Sequence, residues 1–150
     1  MRKSKINISG FKIGTAENRE GLTGVTVILA PDGGATAGVD VRGCAPGTRE
    51  TDLLDPRKTV QKIHAVVLSG GSAFGLEAAS GCVKYLAEQG VGFPIGNVCV
   101  PIVCSAVLFD LMIGDEKAYP DLLMGYEAAK SASSEFLSGC NLSLIHISEP

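Results

Sequence analysis

The chain has 150 residues, of which 45% are hydrophobic. A chain of this length predicts one domain whose core buries about two-thirds of the surface that the unfolded chain exposes. The balance of 13 basic against 16 acidic residues, a net charge of -3, offers no electrostatic basis for binding nucleic acid or an anionic membrane surface. We therefore expect a small, weakly charged partner.

Hydropathy and the spacing of the cysteines argue against a membrane protein, a disulfide-rich protein and a metal-binding protein. No stretch approaches the roughly 18 uninterrupted apolar residues of a membrane span, so we predict a cytoplasmic protein without membrane contact. The five cysteines form no CxxC pair, which predicts buried reduced thiols rather than a disulfide framework. His64 and His146 show no ligand spacing with them, so we expect no metal and no other cofactor. The cysteines are Cys44, Cys82, Cys99, Cys104 and Cys140.

The first third of the chain predicts extended structure. Residues 11–13 and 23–29 carry the apolar and β-branched residues that are typical of strands. Turn residues at 31–34 (PDGG) precede a further strand at 37–41, so we predict a hairpin between 23–29 and 37–41. Residues 42–51 are rich in glycine, proline and charge, which indicates a loop.

The middle of the chain predicts a strand, a tight turn and a helix. Residues 63–68 form a short apolar run without alternation, as expected for a central strand covered on both faces. This run stops at Gly70 and Gly71, and helical spacing begins after Ser72 and ends at Gly90. The apolar face of this helix is Leu76, Ala79, Val83 and Leu86.

Two further elements follow. Residues 98–103 predict a strand, in which Pro101 favours an edge or a bulge. A second helix is predicted from Asp121, directly after Pro120. Its helically spaced positions are Leu122, Tyr126, Ala129, Ser133 and Phe136.

The turn at residues 70–72 is the strongest candidate site. A strand-to-helix junction aims backbone N–H groups and the positive end of a helix dipole at one spot, which suits an anion, a carboxylate or a developing oxyanion. Residues 70–74 nearly match the G-x-S-x-G nucleophile elbow, but Phe74 stands where that motif needs a small residue. Ser72 would also need a base, and His64 lies at the far end of the preceding strand.

Other candidate residues have plainer interpretations. Leu76 and Glu77 replace the lysine and hydroxyl residue of a phosphate loop, so that signal is weak. Asp110 and Asp115 form a possible carboxylate pair, although loop and cap roles are more common for such residues. Three charged residues of the loop at 42–51 offer charge-assisted contacts to a peptide terminus, or are solvated surface charges. These are Arg42, Arg49 and Glu50.

Five segments of the chain carry a resemblance to known proteins. They are 24–28 (GVTVI), 42–54 (RGCAPGTRETDLL), 68–79 (LSGGSAFGLEAA), 100–111 (VPIVCSAVLFDL) and 124–129 (MGYEAA). In this order they resemble one family, the self-processing aminopeptidases that include L-aminopeptidase/D-esterases, β-peptidyl aminopeptidases and nylon-oligomer hydrolases. The resemblance spans about residues 10–139.

This resemblance implies an α+β fold, here the N-terminal part of a layered α-β-β-α sandwich like that of N-terminal-nucleophile hydrolases. It implies a precursor that cuts its own chain, so that a new N-terminal Ser or Thr becomes the nucleophile and its amine the base. In the family that residue lies beyond the matched region, so we expect no catalytic residue in this chain. We expect only Gly70, Gly71, Ser72 and Phe74 to contribute, as a substrate-binding wall.

We therefore predict the N-terminal part of one peptidase domain over residues 1–139. Residues 140–150 are predicted to be a non-native tail, because 142–150 (LSLIHISEP) resemble a translated sequencing-library adapter. The expected function is an aminopeptidase or amidase that acts on short peptides or amides through a Ser/Thr acyl-enzyme. The full-length protein is expected to form a homo-oligomer, and this fragment to be inactive alone. Two alternatives remain, a non-catalytic module binding an anion at residues 70–72 and a serine hydrolase using Ser72.

Overall fold

A computed structural model describes residues 2–138 of the chain. Its helices are α1 (Ala78–Glu88) and α2 (Leu122–Lys130), and short 3-10 helices span Asp52–Leu54 and Ser72–Glu77. Its strands are β1 (Arg2–Lys5), β2 (Lys12–Asn18), β3 (Thr23–Leu29), β4 (Thr48–Arg49), β5 (Ala65–Ser69), β6 (Phe93–Ile95), β7 (Val98–Val100), β8 (Val103–Val107) and β9 (Glu135–Ser138).

Five of these strands form one mixed sheet in the order β2-β3-β5-β8-β4. The strands β2 and β3 form an antiparallel hairpin, and β3 also pairs antiparallel with β5. The central strand β5 pairs in parallel with β8, whose outer edge carries the two-residue strand β4. The predicted strand at Thr23–Leu29 and the predicted central strand are both confirmed, and the fold is α+β as expected.

The two helices cover one face of this sheet. Alternate residues of β3 (Val25, Val27 and Leu29) point into the core beneath the helices, while Thr26 and Ile28 on the opposite face are half-buried. Glycines allow the helices to touch backbone to backbone, since a Cβ at Gly81 of α1 would lie 1.9 Å from the carbonyl oxygen of Leu122. The helices thereby pack tightly enough for residues as small as alanine to fill the core.

The predicted hairpin between 23–29 and 37–41 is wrong. Both edges of β3 are taken by β2 and β5, so a strand at 37–41 has no free edge there to pair with. Instead Ala35 forms an isolated bridge with Ile63, and Val39 is 48% exposed in irregular structure. The turn residues at 31–34 therefore lead into a surface segment rather than back along β3.

Two other boundaries differ from prediction. Residues 98–103 do not form one strand, because Pro101 separates β7 from β8, and β8 is internal to the five-stranded sheet. The second helix ends at Lys130, and Phe136 lies in β9, which pairs antiparallel with β1. The N-terminus of α2 is as expected, since the Asp121 side chain caps it by accepting a hydrogen bond from the Met124 backbone N–H at 2.8 Å.

Within residues 2–138, no helix is long and apolar enough to cross a membrane. The cysteines in this part of the chain are free thiols. Cys82 and Cys104 are buried as predicted and Cys99 is half-buried, but Cys44 is exposed in its loop, contrary to prediction. Cys140, His146 and the predicted tail at 140–150 lie outside the described residues.

Candidate functional site

The turn at residues 70–72 lies where the parallel strands β5 and β8 end side by side. The segments that follow these two strands are hydrogen-bonded to each other, because the Leu108 N–H donates to the Ser69 carbonyl at 3.0 Å. The Ser72 N–H in turn donates to the Leu108 carbonyl at 2.9 Å. The carboxyl end of parallel strands is the usual place for a ligand site in a sheet with helices.

The turn has an unusual backbone. Gly71 has a φ of 81° and Ser72 a φ of 52°, so two consecutive residues adopt the left-handed region. A Cβ at Gly71 would lie 2.6 Å from the Cβ of Tyr119, which leaves no room for a side chain. Ser72 pays the steric cost of this conformation, roughly 1 to 2 kcal/mol. Surrounding contacts must therefore hold the turn in place.

Asp110 is the residue that holds it. Its side chain is buried, and its Oδ1 accepts a hydrogen bond from the Gly71 N–H at 2.6 Å. Its Oδ2 accepts from the Oγ1 of Thr23, a buried residue at the start of β3, at 2.8 Å. One carboxylate thus joins three segments that are distant in sequence. Sequence reasoning missed this role, although an acidic residue directly after a long uncharged run was a possible signal.

The backbone donors of the turn are already engaged. The Gly70 N–H donates to the Gly24 carbonyl at 3.0 Å, the Gly71 N–H to Asp110 and the Ser72 N–H to Leu108. An external anion would have to displace these acceptors and approach the Asp110 carboxylate. The geometry therefore disfavours the alternative in which residues 70–72 bind an anionic ligand.

Ser72 has no histidine base in the described part of the chain. His64 is buried at the opposite end of β5, where its Nδ1 accepts a hydrogen bond from the Ile102 N–H at 3.1 Å. Burial lowers the pKa of His64, which keeps the imidazole neutral in this structural role. The arrangement gives no support to a serine hydrolase built on Ser72.

An aromatic pair flanks the turn. The rings of Phe74 and Tyr119 are stacked, with centroids 4.7 Å apart and an angle of 17° between their planes. Phe74 is a large apolar residue in the 3-10 helix Ser72–Glu77, and it is 57% exposed. Phe109 lies between Leu108 and Asp110, which both accept hydrogen bonds from the turn, and it is 61% exposed. The turn is therefore bordered by apolar rings that face solvent.

The charged residues of the loop do not gather at the turn. Arg49 donates from Nη1 to the Ser80 Oγ on α1 at 2.7 Å, so it fastens β4 to the helix. Arg42 pairs with Asp40 at the exposed surface, and Glu50 is exposed. Asp115 is exposed and accepts from the Lys117 N–H, so it does not share the buried position of Asp110.

Among residues 2–138, no cluster of three or more His, Cys, Asp or Glu side chains is arranged to hold a metal ion. The site therefore consists of the left-handed turn, the buried Asp110 and the aromatic border. The predicted wall residues Gly70, Gly71, Ser72 and Phe74 do lie together in it.

Comparison with known proteins gives matches in sequence over most of the chain. The model of Peptidase family S58 matches residues 5–141. An uncharacterized aminopeptidase of Mycobacterium leprae is 48% identical over 116 residues, covering 77% of this chain and 32% of that protein. A 6-aminohexanoate-oligomer endohydrolase of a Kocuria species is 35% identical over 136 residues, covering 90% of this chain and 36% of that protein.

The fold also has a solved counterpart. The ornithine acetyltransferase of Mycobacterium tuberculosis, in complex with ornithine, matches with a TM-score of 0.52 at 15% identity, covering 94% of this chain and 79% of that one. This likeness concerns the fold alone. The chain spans about a third of the length of the curated relatives it matches. Because the family model covers nearly all of the sequence, the chain belongs to peptidase family S58.

Proposed function

We propose that the whole protein is a cytoplasmic aminopeptidase or amidase that releases N-terminal residues from short peptides or amides. The reaction is acyl transfer through an ester on a Ser or Thr, followed by hydrolysis of that ester. The observation that carries the proposal is the match to Peptidase family S58 over residues 5–141. The names of the relatives, an aminopeptidase and an oligomer endohydrolase, support the same reaction class.

The nucleophile of this proposal is an N-terminal Ser or Thr produced by self-cleavage. A terminal amine has a pKa of about 7.7 to 8.0, so a useful fraction is neutral at physiological pH and can accept the hydroxyl proton. This requires no histidine, in agreement with the structural role of His64. The absence of a histidine base for Ser72 among the described residues supports a nucleophile other than Ser72. We expect this chain by itself to be inactive.

In this proposal the residues of the turn form one wall of the substrate site. Gly70, Gly71 and Ser72 set the shape of this wall through the course of their backbone, and Asp110 acts as a positioning residue that keeps the turn in its left-handed conformation. The stacked pair of Phe74 and Tyr119 offers a flat apolar surface beside it. Such a surface favours a substrate with an apolar residue or an apolar spacer.

The α-β-β-α layering is also part of the proposal. The face of the sheet opposite the helices carries half-buried apolar residues, Ile28, Val66 and Leu68, which suit a second sheet. Assembly of the whole protein into a homo-oligomer likewise remains a prediction.

The reaction is tested with the complete gene product and with the 150-residue chain, each assayed on amino-acid anilides. We expect the complete product to split into two pieces whose downstream piece begins with Ser or Thr, as read by mass spectrometry, and to hydrolyse the anilides. We expect no hydrolysis by the 150-residue chain. Hydrolysis by that chain that disappears in Ser72→Ala would contradict the proposal and make Ser72 the nucleophile.

The wall is tested in the complete product by Phe74→Ala. We expect KM for a leucine anilide to rise at least about fivefold, while KM for a glycine anilide changes little, because only the leucine side chain uses the apolar surface. Leu123→Ala is the matched control, since Leu123 is 62% exposed on α2. Equal effects on both substrates would remove Phe74 from the wall without affecting the proposed reaction.

A further inference from the structure

A cavity of about 340 Å³ opens at the C-terminal end of α1, at the opposite end of the sheet from the turn at residues 70–72. Its place follows from β3, whose last residue Leu29 lines the cavity and pairs with Ala65 at the start of β5. The volume is within the range of about 300 to 1,000 Å³ that is typical of small-molecule sites. We call this cavity the helix-end pocket; its lining includes Lys12, Leu29, Asp32, Tyr85, Leu86 and Val91.

The floor of the helix-end pocket is apolar and belongs to the core. Leu29 and Leu86 are both buried, and they come from the sheet and from α1. Tyr85 and Val91 are half-buried and pack against the same core. An apolar group placed on this floor would leave water for a surface that is already fixed by the fold, which favours binding.

The rim of the pocket carries two opposite charges. Lys12 is the direct partner of Leu29 in the ladder of β2 and β3, so its side chain leaves the sheet on the same side as that of Leu29. Asp32 lies in the turn after β3 and lines the same pocket. Both residues are exposed, and neither has an ion-pair partner among residues 2–138. An ammonium group and a carboxylate are therefore available to a ligand.

Backbone hydrogen bonds hold the pocket open without a ligand. The Gly34 N–H donates to the Pro31 carbonyl at 2.9 Å, which closes the turn that carries Asp32. On the other side, the Val91 N–H donates to the Leu86 carbonyl at 2.9 Å, which fixes the segment that follows α1. A ligand would therefore order little of the protein when it binds.

The position of the pocket favours a small molecule over a further protein segment. It lies on the helix side of the sheet, whereas the face that we propose for a second sheet is the opposite one. A protein segment that filled the pocket would also take Lys12 and Asp32 out of water, which is costly for charged groups. A small ligand can pair with both charges at the rim and leave them in contact with water.

The charges indicate which kind of molecule fits. Lys12 suits a carboxylate. Asp32 suits an ammonium group, and the negative end of the α1 dipole, where Gln89 lines the pocket, favours a cation as well. The floor suits an apolar body between the two charged groups. An amino acid with an apolar side chain combines all three features.

We propose that the helix-end pocket binds a free amino acid with an apolar side chain. Its carboxylate pairs with Lys12, its ammonium group with Asp32, and its side chain lies on Leu29 and Leu86. Such an amino acid is also a product of the reaction proposed above, and only this link rests on the proposed function. Binding at the pocket is a separate property, because the pocket shares no residue with the turn at residues 70–72.

The test is a titration of the ¹⁵N-labelled 150-residue chain with L-leucine, followed by the amide signals in NMR spectra. We expect saturable shifts at Gly10, Asp32 and Gln89, which line the pocket, and none at Gly71. Glycine, leucinamide and N-acetyl-leucine each lack one of the three features. Each should bind at least about tenfold more weakly than leucine.

Two variants test the charges from the side of the protein. Asp32→Asn and Lys12→Met should each raise the Kd for leucine at least about tenfold. Asp115→Asn and Lys130→Met are the matched controls at exposed positions outside the pocket, and they should leave the Kd unchanged. The analogues test the same two charges in the unmodified chain, so the result does not depend on the folding of any variant.

Four results would overturn the proposal. They are the absence of saturable shifts, shifts centred on residues 70–72, equal binding of leucine and its analogues, and binding by the 150-residue chain that the complete gene product lacks. The last result would show that another segment fills the pocket. If the 150-residue chain gives no dispersed spectrum, the titration of the complete product decides. Hydrolysis of anilides is measured separately, so failure of this proposal is distinguishable from failure of the proposed function.

Discussion

The turn at residues 70–72 and the hairpin of β6 and β7 are both short and contain glycine, yet they are held in opposite ways. In the first, each backbone N–H finds an acceptor on another segment, and the buried Asp110 closes the arrangement. In the second, the strands pair with each other and four apolar side chains face solvent. Contacts among the described residues hold the turn, whereas the four apolar side chains of the hairpin are exposed.

This difference has a physical cause. A buried polar group must be satisfied by whatever the tertiary fold brings to it, so the turn is determined by long-range contacts such as the 39-residue separation between Gly71 and Asp110. An exposed apolar face creates no such demand within one molecule. Its burial yields free energy only when another surface arrives.

Removal of Asp110 should have the largest effect. Asp110→Ala leaves the Gly71 N–H and the Thr23 hydroxyl buried without an acceptor, and should lower the free energy of unfolding by about 3 kcal/mol. Urea denaturation measures the change. Asp115→Ala, at an exposed position, should change it by less than about 0.5 kcal/mol. Equal losses for both variants would show that the turn does not depend on Asp110.

Matched glycine substitutions compare the two regions directly. Gly71 and Gly96 both have positive φ, but a Cβ at Gly71 meets Tyr119 at 2.6 Å, while a Cβ at Gly96 meets nothing within 4 Å. Gly71→Ala should therefore cost about 2 kcal/mol or more, and Gly96→Ala about 1 kcal/mol, from backbone strain alone. Thermal unfolding of both variants measures the difference, and the reverse order would contradict the crowded turn.

Acid should remove the stability that neutral His64 contributes at the root of the hairpin. Burial lowers the pKa of His64 below its ordinary value of 6.5, so the unfolded chain takes up this proton at a higher pH than the folded chain. The stability that neutral His64 contributes is thus complete above about pH 6.5 and declines as the pH falls towards the folded pKa.

We expect the Tm to fall by a few degrees between about pH 7.5 and about pH 5.5, as measured by calorimetry. His64→Gln, which removes the titrating group, should reduce this slope. The same slope in both proteins would show that other groups are responsible.

Cysteine reactivity should show the smallest difference. Burial raises the pKa of Cys82 to about 12, so iodoacetamide should not modify it in the folded protein. Cys99 is half-buried on the side of the hairpin opposite to Ile95 and Val98, and it should react more slowly than the exposed Cys44 but faster than Cys82. Peptide mass spectrometry over time gives the order. Modification of Cys82 as fast as Cys44 would indicate that the helix layer opens readily.

Elements with a strong local pattern were predictable. Three elements were located from sequence because burial of a defined face leaves a pattern in neighbouring residues. They are β3 with its β-branched run, β5 with its apolar run and α1 with its helical spacing. Pairing was not predictable for 37–41, because it depends on which edges of β3 other strands have already taken. Pro101 likewise ends β7 without preventing β8 from lying inside the sheet.

Some features of the candidate site were likewise predictable from sequence, and others were not. Sequence alone located the turn and the family, since these depend on residue types adjacent in the chain, whereas the substrate-wall role of Gly70, Gly71, Ser72 and Phe74 stays a prediction. The buried carboxylate beneath the turn, the engaged N–H groups and the stacking of Phe74 on Tyr119 were decided only by the tertiary structure. The reason is that hydrogen bonds and ring contacts join residues by distance in space, and local sequence carries no record of which distant segment will arrive.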